Sequence, residues 1–201
     1  MKCFMKRRLV SMLAAASFSV LAACTTLAAE TRISTQLSAS DYNDIANRYL
    51  ERPTFVSLQT LSDGAVTLRV RMDRYDGGYD AQLDVVLEHS LPFDQRFVGE
   101  YLPLIDKYLE WEKLAIERGD QIEREIGRAT TWANSNTAQL KFSLFSSNAM
   151  NHVLLIDHCV AIGCAESPMV FSKPNAIELR RLLVDLRDGR ITHAPVDQIY
   201  N

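Results

Sequence analysis

Val66-Thr67-Leu68-Arg69-Val70-Arg71-Met72-Asp73 is the stretch on which the reading of the fold turns. Its apolar residues fall at every second position. Side chains alternate faces along a strand, so Val66, Leu68, Val70 and Met72 face a core while Thr67, Arg69, Arg71 and Asp73 face water. A helix would scatter the same eight residues around its circumference. A strand with one wet face belongs to an antiparallel sheet.

Working outward, Ser62-Asp63-Gly64 is a turn, and Thr54–Leu61 before it reads as a second strand. On the far side, Leu83, Val85 and Leu87 alternate with Gln82, Asp84 and Glu88, so Ala81–Glu88 is expected to pair with the first stretch. That pairing would set Arg69 or Arg71 opposite Asp84. Asp73, Asp76, Asp80 and Asp84 with Gly77 superficially suggest a calcium loop. The spacing fails that pattern, which needs oxygen ligands at alternate positions: Tyr75 takes the third position and Asp76 the fourth, with Asp84 at the twelfth.

Three helices are expected. Ser40 can cap one over Asp41–Glu51, whose Tyr42, Ile45, Ala46, Tyr49 and Leu50 share a helical face, with Pro53 as its stop. Leu102–Arg118 places Tyr101, Leu104, Tyr108, Trp111 and Ala115 at three-four spacing and ends at Gly119. Such an aromatic stripe reads as core before it reads as a ligand cleft. Ser172 caps the last helix, Pro174 sits in its first turn, and Leu179, Leu182, Leu183 and Leu186 face inward. Between the last two lie a hairpin over Gln121–Leu144 and a buried strand, His152–Val160. The fold class is therefore α+β: an antiparallel sheet of about six strands packed by about three helices, in the order α-βββ-α-βββ-α. Helix-plus-three-strands occurs twice, without a residue-level repeat beneath it.

The N-terminus is a different kind of segment. Lys2, Lys6, Arg7 and Arg8 precede an uncharged run, Leu9–Ala23, that is too short for a permanent membrane span. It closes on Leu21-Ala22-Ala23-Cys24, which resembles the lipobox of bacterial lipoproteins. The competing reading is ordinary secretory cleavage after Ala28 or Ala29. The resemblance implies a signal peptide at 1–23, a lipid on Cys24 (diacylglyceryl thioether, with an amide-linked chain such as palmitate), and attachment to the cell membrane through that lipid. Thr25 rather than Asp follows the cysteine. In an enterobacterium-like diderm this resembles outer-membrane sorting, with the domain facing the periplasm. Residues 24–40 then read as the lipidated terminus and a flexible Thr/Ser/Ala-rich tether, 41–201 as a single α+β domain, and Arg190–Asn201 as its extended tail.

Loss of the leader removes four basic residues and leaves 18 basic against 25 acidic side chains, a net of −7. An acidic domain argues against nucleic acid and against a basic grip on lipid headgroups. In an exported chain Cys159 and Cys164 read as a disulfide. The rival is a metal site from His152, His158, Cys159 and Cys164. It fails on geometry, because the two histidines would lie ~20 Å apart on one strand. No metal or other cofactor is expected. No nucleophile elbow, zincin pair, phosphate loop or dinucleotide fingerprint is found, and no catalytic residue can be named. The expected function is a lipid-anchored envelope module that binds a protein partner, as an assembly factor or as an inhibitor or immunity protein. The alternative is a hydrolase acting on a cell-envelope polymer.

Overall fold

Two antiparallel sheets and two long helices form the chain in the computed structural model, which describes residues 26–43, 45–73, 79–80, 85–86, 89–131, 138–147, 151–160, 163–164 and 167–191. In chain order the strands are β1 (Leu27–Ile33), β2 (Ala39–Asn43), β3 (Arg48–Arg52), β4 (Thr54–Leu61), β5 (Val66–Met72), β6 (Tyr79–Asp80), β7 (Val85–Val86), β8 (His89–Asp94), β9 (Ile122–Thr130), β10 (Gln139–Ser146), β11 (His152–Val160), β12 (Gly163–Cys164) and β13 (Met169–Phe171). Helix α1 (Val98–Arg118) separates β8 from β9, and α2 (Lys173–Arg187) follows β13.

The first sheet runs β1-β4-β5-β8, and the second runs β3-β2-β13-β11-β10-β9 with β12 added to β11. β6 and β7 pair only with each other. Val56, Leu68, Val70, Met72, Leu91 and Phe93 of the first sheet share one core with Leu140, Phe142, Leu154 and Ile156 of the second. Tyr101, Ile105 and Tyr108 of α1, and Leu179, Leu183 and Leu186 of α2, fill the same core. The alternation in Val66–Met72 holds for most of its length: Leu68, Val70 and Met72 are inward and Arg69 and Arg71 lie half-buried on the opposite face, whereas Thr67, expected to face water, is buried at 1% exposure.

The class expected from sequence is corrected by this architecture. The chain is mostly β, with two long helices and two sheets, rather than about three helices on one sheet of about six strands. The helix expected over Asp41–Glu51 is the hairpin β2–β3, turning at Ile45–Asn47. Tyr42 and Tyr49, seven residues apart, mimic two helical turns. They are in fact cross-strand partners, with ring centroids 5.3 Å apart in an edge-on contact. Ile45, counted as a core position, is 98% exposed at the turn tip. Asn47 adopts φ 50°, a left-handed conformation that Asn tolerates, and the Asn43 side chain accepts from Ala46 N at 2.7 Å.

The segment expected to be a tether holds β1, which pairs with β4 from Leu27↔Leu61 to Ile33↔Val56. The partner of β5 is β8 rather than Ala81–Glu88, so Arg69 faces Pro92 and Arg71 faces Ser90 across the ladder. Asp84 lies outside the described residues, as do most of the polar loop before it and the tail from 192 onward. The hairpin expected over Gln121–Leu144 is β9–β10, and β9 carries a bulge: Gly127 pairs with Phe142 and Glu125 with Ser143, leaving Ile126 between them. Ile126 and Ala129 are both buried three residues apart, a helical spacing produced by a strand.

α1 starts at Val98, ahead of the expected Leu102, and ends on Gly119 at φ 68°. Ser172 is the residue before α2, but its hydroxyl accepts from the Asn175 side chain rather than capping the helix.

Candidate functional site

The outer face of the first sheet carries the most distinctive grouping. Strand alternation brings Arg69 and Arg71 of β5 to that face, and register sets Arg71 opposite Phe55 and Arg69 opposite Ser57 on β4. β1 adds Arg32 opposite Ser57, and Glu30 opposite Gln59. Glu30, Arg32, Phe55, Ser57, Arg69 and Arg71 thereby line an open groove of about 350 Å³. Val56 completes its lining.

Phe55 is the centre of the arrangement. The Arg71 guanidinium lies 4.7 Å from its ring centroid and that of Arg32 lies 5.6 Å away, both within cation–π range. Stacking holds the two planar cations at fixed positions on a wet surface, a preorganisation that free arginines lack. Arg69 Nη2 donates to Ser90 Oγ at 3.4 Å. Ser57 Oγ and Gln59 Nε2 both donate to Glu30 Oε1, at 2.5 and 3.1 Å. The Ser57 bond is the main reason the Glu30 carboxyl lies below its ordinary pKa; Gln59, Arg69 and Arg71 add to it against a smaller opposing effect of burial. The groove therefore presents three permanent cations, one aromatic face and one carboxylate that stays ionised. It suits an anionic group and offers no carboxylic acid near neutral pH to act as a proton donor.

Ser146 and His152 look at first like a catalytic pair, with Oγ and Nδ1 at 2.9 Å. The hydroxyl proton, however, is given to the Asp120 carbonyl at 2.7 Å. Nδ1–H must then be the donor to Ser146, the reverse of what a general base requires. Ser146 is also 2% exposed. The pair ties the β10–β11 hairpin to the segment just after α1.

Two further surfaces flank these elements. Trp111 is half-buried beside Ile122 and Leu144, with Lys107 Nζ and the Arg124 guanidinium 4.7 and 5.3 Å from its ring. The expected aromatic stripe of α1 thus divides: Tyr101 and Tyr108 are fully buried core, while Trp111 reaches a surface cleft. On the outer face of the second sheet, Tyr49 and Phe145 meet edge-on over Val153, Leu155 and Val170.

Cys159 and Cys164 are cross-strand partners on β11 and β12, their sulfurs 1.99 Å apart at bonding distance, with Gly163 at φ 144° beside them. Among the described residues no three His, Cys, Asp or Glu side chains converge as a metal site. His158 is half-buried, and burial pushes its imidazole below the ordinary pKa. Cys24 lies outside the described residues. No helix among the described residues is long and apolar enough to cross a membrane.

Of the groove, only Arg69 and Arg71 carried a sequence signal, as the polar half of an alternating strand. Glu30 and Arg32 carried none, because their proximity depends on β1 joining the sheet, and Phe55 lay on an expected strand without a signal of its own. The fold and groove together define a mostly-β protein of two antiparallel sheets with a cationic, aromatic-floored surface. Compared with models of protein families, with curated proteins and with solved structures, the chain matches none.

Proposed function

We propose that the chain is a lipid-anchored cell-envelope protein that binds a protein partner through the groove of β1, β4 and β5. Cys24 carries the lipid, the folded body stands on the periplasmic side of the outer membrane of a diderm, and the partner offers an acidic segment to Arg32, Arg69 and Arg71. One observation carries the reading: two guanidinium groups stack on a single aromatic ring, with a third lining the same groove, on the outer sheet face of a chain that is acidic once its leader is gone. Local charge opposed to global charge marks a selective contact rather than a general stickiness. An assembly factor and an inhibitor or immunity protein would both use such a surface.

Co-purification after crosslinking from detergent-solubilised membranes tests it. The wild type should retain a partner that Arg69→Glu/Arg71→Glu loses, with lipid still attached to Cys24 in both. Equal recovery by the two, or recovery of no partner, contradicts the binding reading. Cys24→Ser should abolish lipid labelling and release the protein from membranes; membrane retention without lipid on the wild type contradicts the anchor.

A further inference from the structure

We propose that the anchor holds the folded body directly against the phospholipid bilayer, with the β4–β5 turn at Ser62–Gly64 on the headgroups. The inference rests on the reading of Cys24 as the lipidated residue. Thr26 is not part of a tether. Its carbonyl accepts from Ser62 N at 2.8 Å, and its own N–H donates to Ser62 Oγ at 3.0 Å. The next residue, Leu27, is already paired with Leu61 in the sheet.

The chain from Cys24 to Thr26 covers at most about 7 Å, where a free segment to Ser40 could span ~50 Å. The turn that receives Thr26 is itself closed. Leu61 N donates to Ala65 O at 2.8 Å, Gly64 N to Leu61 O at 2.9 Å, and Ala65 N to the Asp63 carboxylate at 3.0 Å. Gly64 takes φ 82°, which a side chain would resist. A lipid on Cys24 therefore pulls on a rigid sheet end. Leu27, 50% exposed, stands beside the attachment point as an apolar contact for the interface.

The strands lead from this end to the groove. Along β1 itself Arg32 is six residues from Thr26, or about 20 Å at the rise of a strand. Whatever the tilt of the body, Arg32 then lies within about 28 Å of Cys24, the sum of strand and link. A partner that reaches Arg32, Arg69 and Arg71 must come that close to the same membrane.

The full lipidated protein in phosphatidylcholine/phosphatidylglycerol vesicles tests the placement. In mature protein Cys24 is a thioether and Cys159 and Cys164 are paired, so Asp63→Cys or Asp73→Cys provides the reactive thiol for a fluorophore. A headgroup nitroxide lipid should quench the label at 63 several-fold more than the label at 73. A Gly/Ser insert of about twelve residues between Thr25 and Thr26 adds ~20 Å of slack and should abolish that difference. Lipid on Cys24 with equal quenching at both sites, or quenching at 63 that the insert leaves unchanged, overturns the placement alone. Wild type that takes no lipid on Cys24 overturns the anchor and the placement with it. Thermal unfolding of the labelled variants shows that the sheet end is retained.

Discussion

Tyr101 is fully buried between Phe93 of the first sheet and Phe142 of the second, with ring centroids 5.4 and 6.4 Å away. Its hydroxyl accepts from Asp94 N at 3.2 Å and donates to the Thr130 carbonyl at 2.6 Å. One side chain thus joins β8, α1 and β9, and the Thr131 hydroxyl reinforces the joint by donating to the Pro92 carbonyl. Tyr101→Phe keeps the ring and removes two hydrogen bonds to backbone groups, one of them buried, so it should cost about 1–3 kcal/mol in urea unfolding; an unchanged midpoint would show that the joint is held elsewhere. His158 makes a prediction about pH. Burial lowers its folded pKa below the ordinary 6.5. Between those two values the unfolded chain binds a proton that the native chain does not. Stability from this residue is intact above the unfolded pKa and falls as pH drops through the window. His158→Gln should flatten the loss of stability as pH falls below the ordinary imidazole value of 6.5, compared by denaturant midpoints. An identical slope in the variant would place the effect on other groups. Glu30 acts in the same sense at lower pH: its carboxyl is depressed, so its contribution is present above the ordinary 4.5 and fades as acid protonates it.

At the scale of elements, the β9 bulge puts Gly127 against α1. A Cβ added there would meet Leu104 Cδ2 at 2.8 Å. Leu104 can shift for a methyl group, but Gly127→Val should overpack the contact and destabilise by about 1–3 kcal/mol, read from thermal unfolding. The β11–β12 corner is closed by Cys159 and Cys164. Reducing so short a loop should cost about 2 kcal/mol on the chain-entropy account, and denatured, unreduced protein should show neither of these thiols as reactive. These elements also show why sequence was readable in some places and not in others. Strands β5, β10 and β11, and the inward leucines of α2, follow from periodicity because each has a mainly apolar buried face or an apolar central run. β2 and β3 do not, because Tyr42 and Tyr49 satisfy a helical spacing and a cross-strand pairing equally well. β1 does not, because Leu27–Ile33 is an edge strand, largely exposed, and owes its conformation to β4.

Over the whole molecule, the sheet that bears the groove also receives the chain leaving Cys24. Half of that groove was visible in Val66–Met72 as arginines on a wet face. The other half needed the register of β1 and β4, which no local pattern encodes. The two roles are separable. Arg32→Ala/Arg69→Ala/Arg71→Ala should leave lipid attachment and the quenching of a label at position 63 unchanged while removing partner binding. Loss of both together would mean that the arginines serve the membrane contact instead. The central claim is that the groove is the contact surface, and site-specific photocrosslinking tests it most directly. A benzophenone side chain at Phe55, in the lipidated full chain in native membranes, should give one discrete adduct whose yield falls as salt is raised. The same group at Lys113 on the exposed side of α1 should give none. No adduct from position 55, or the same adduct from both positions, would contradict the account.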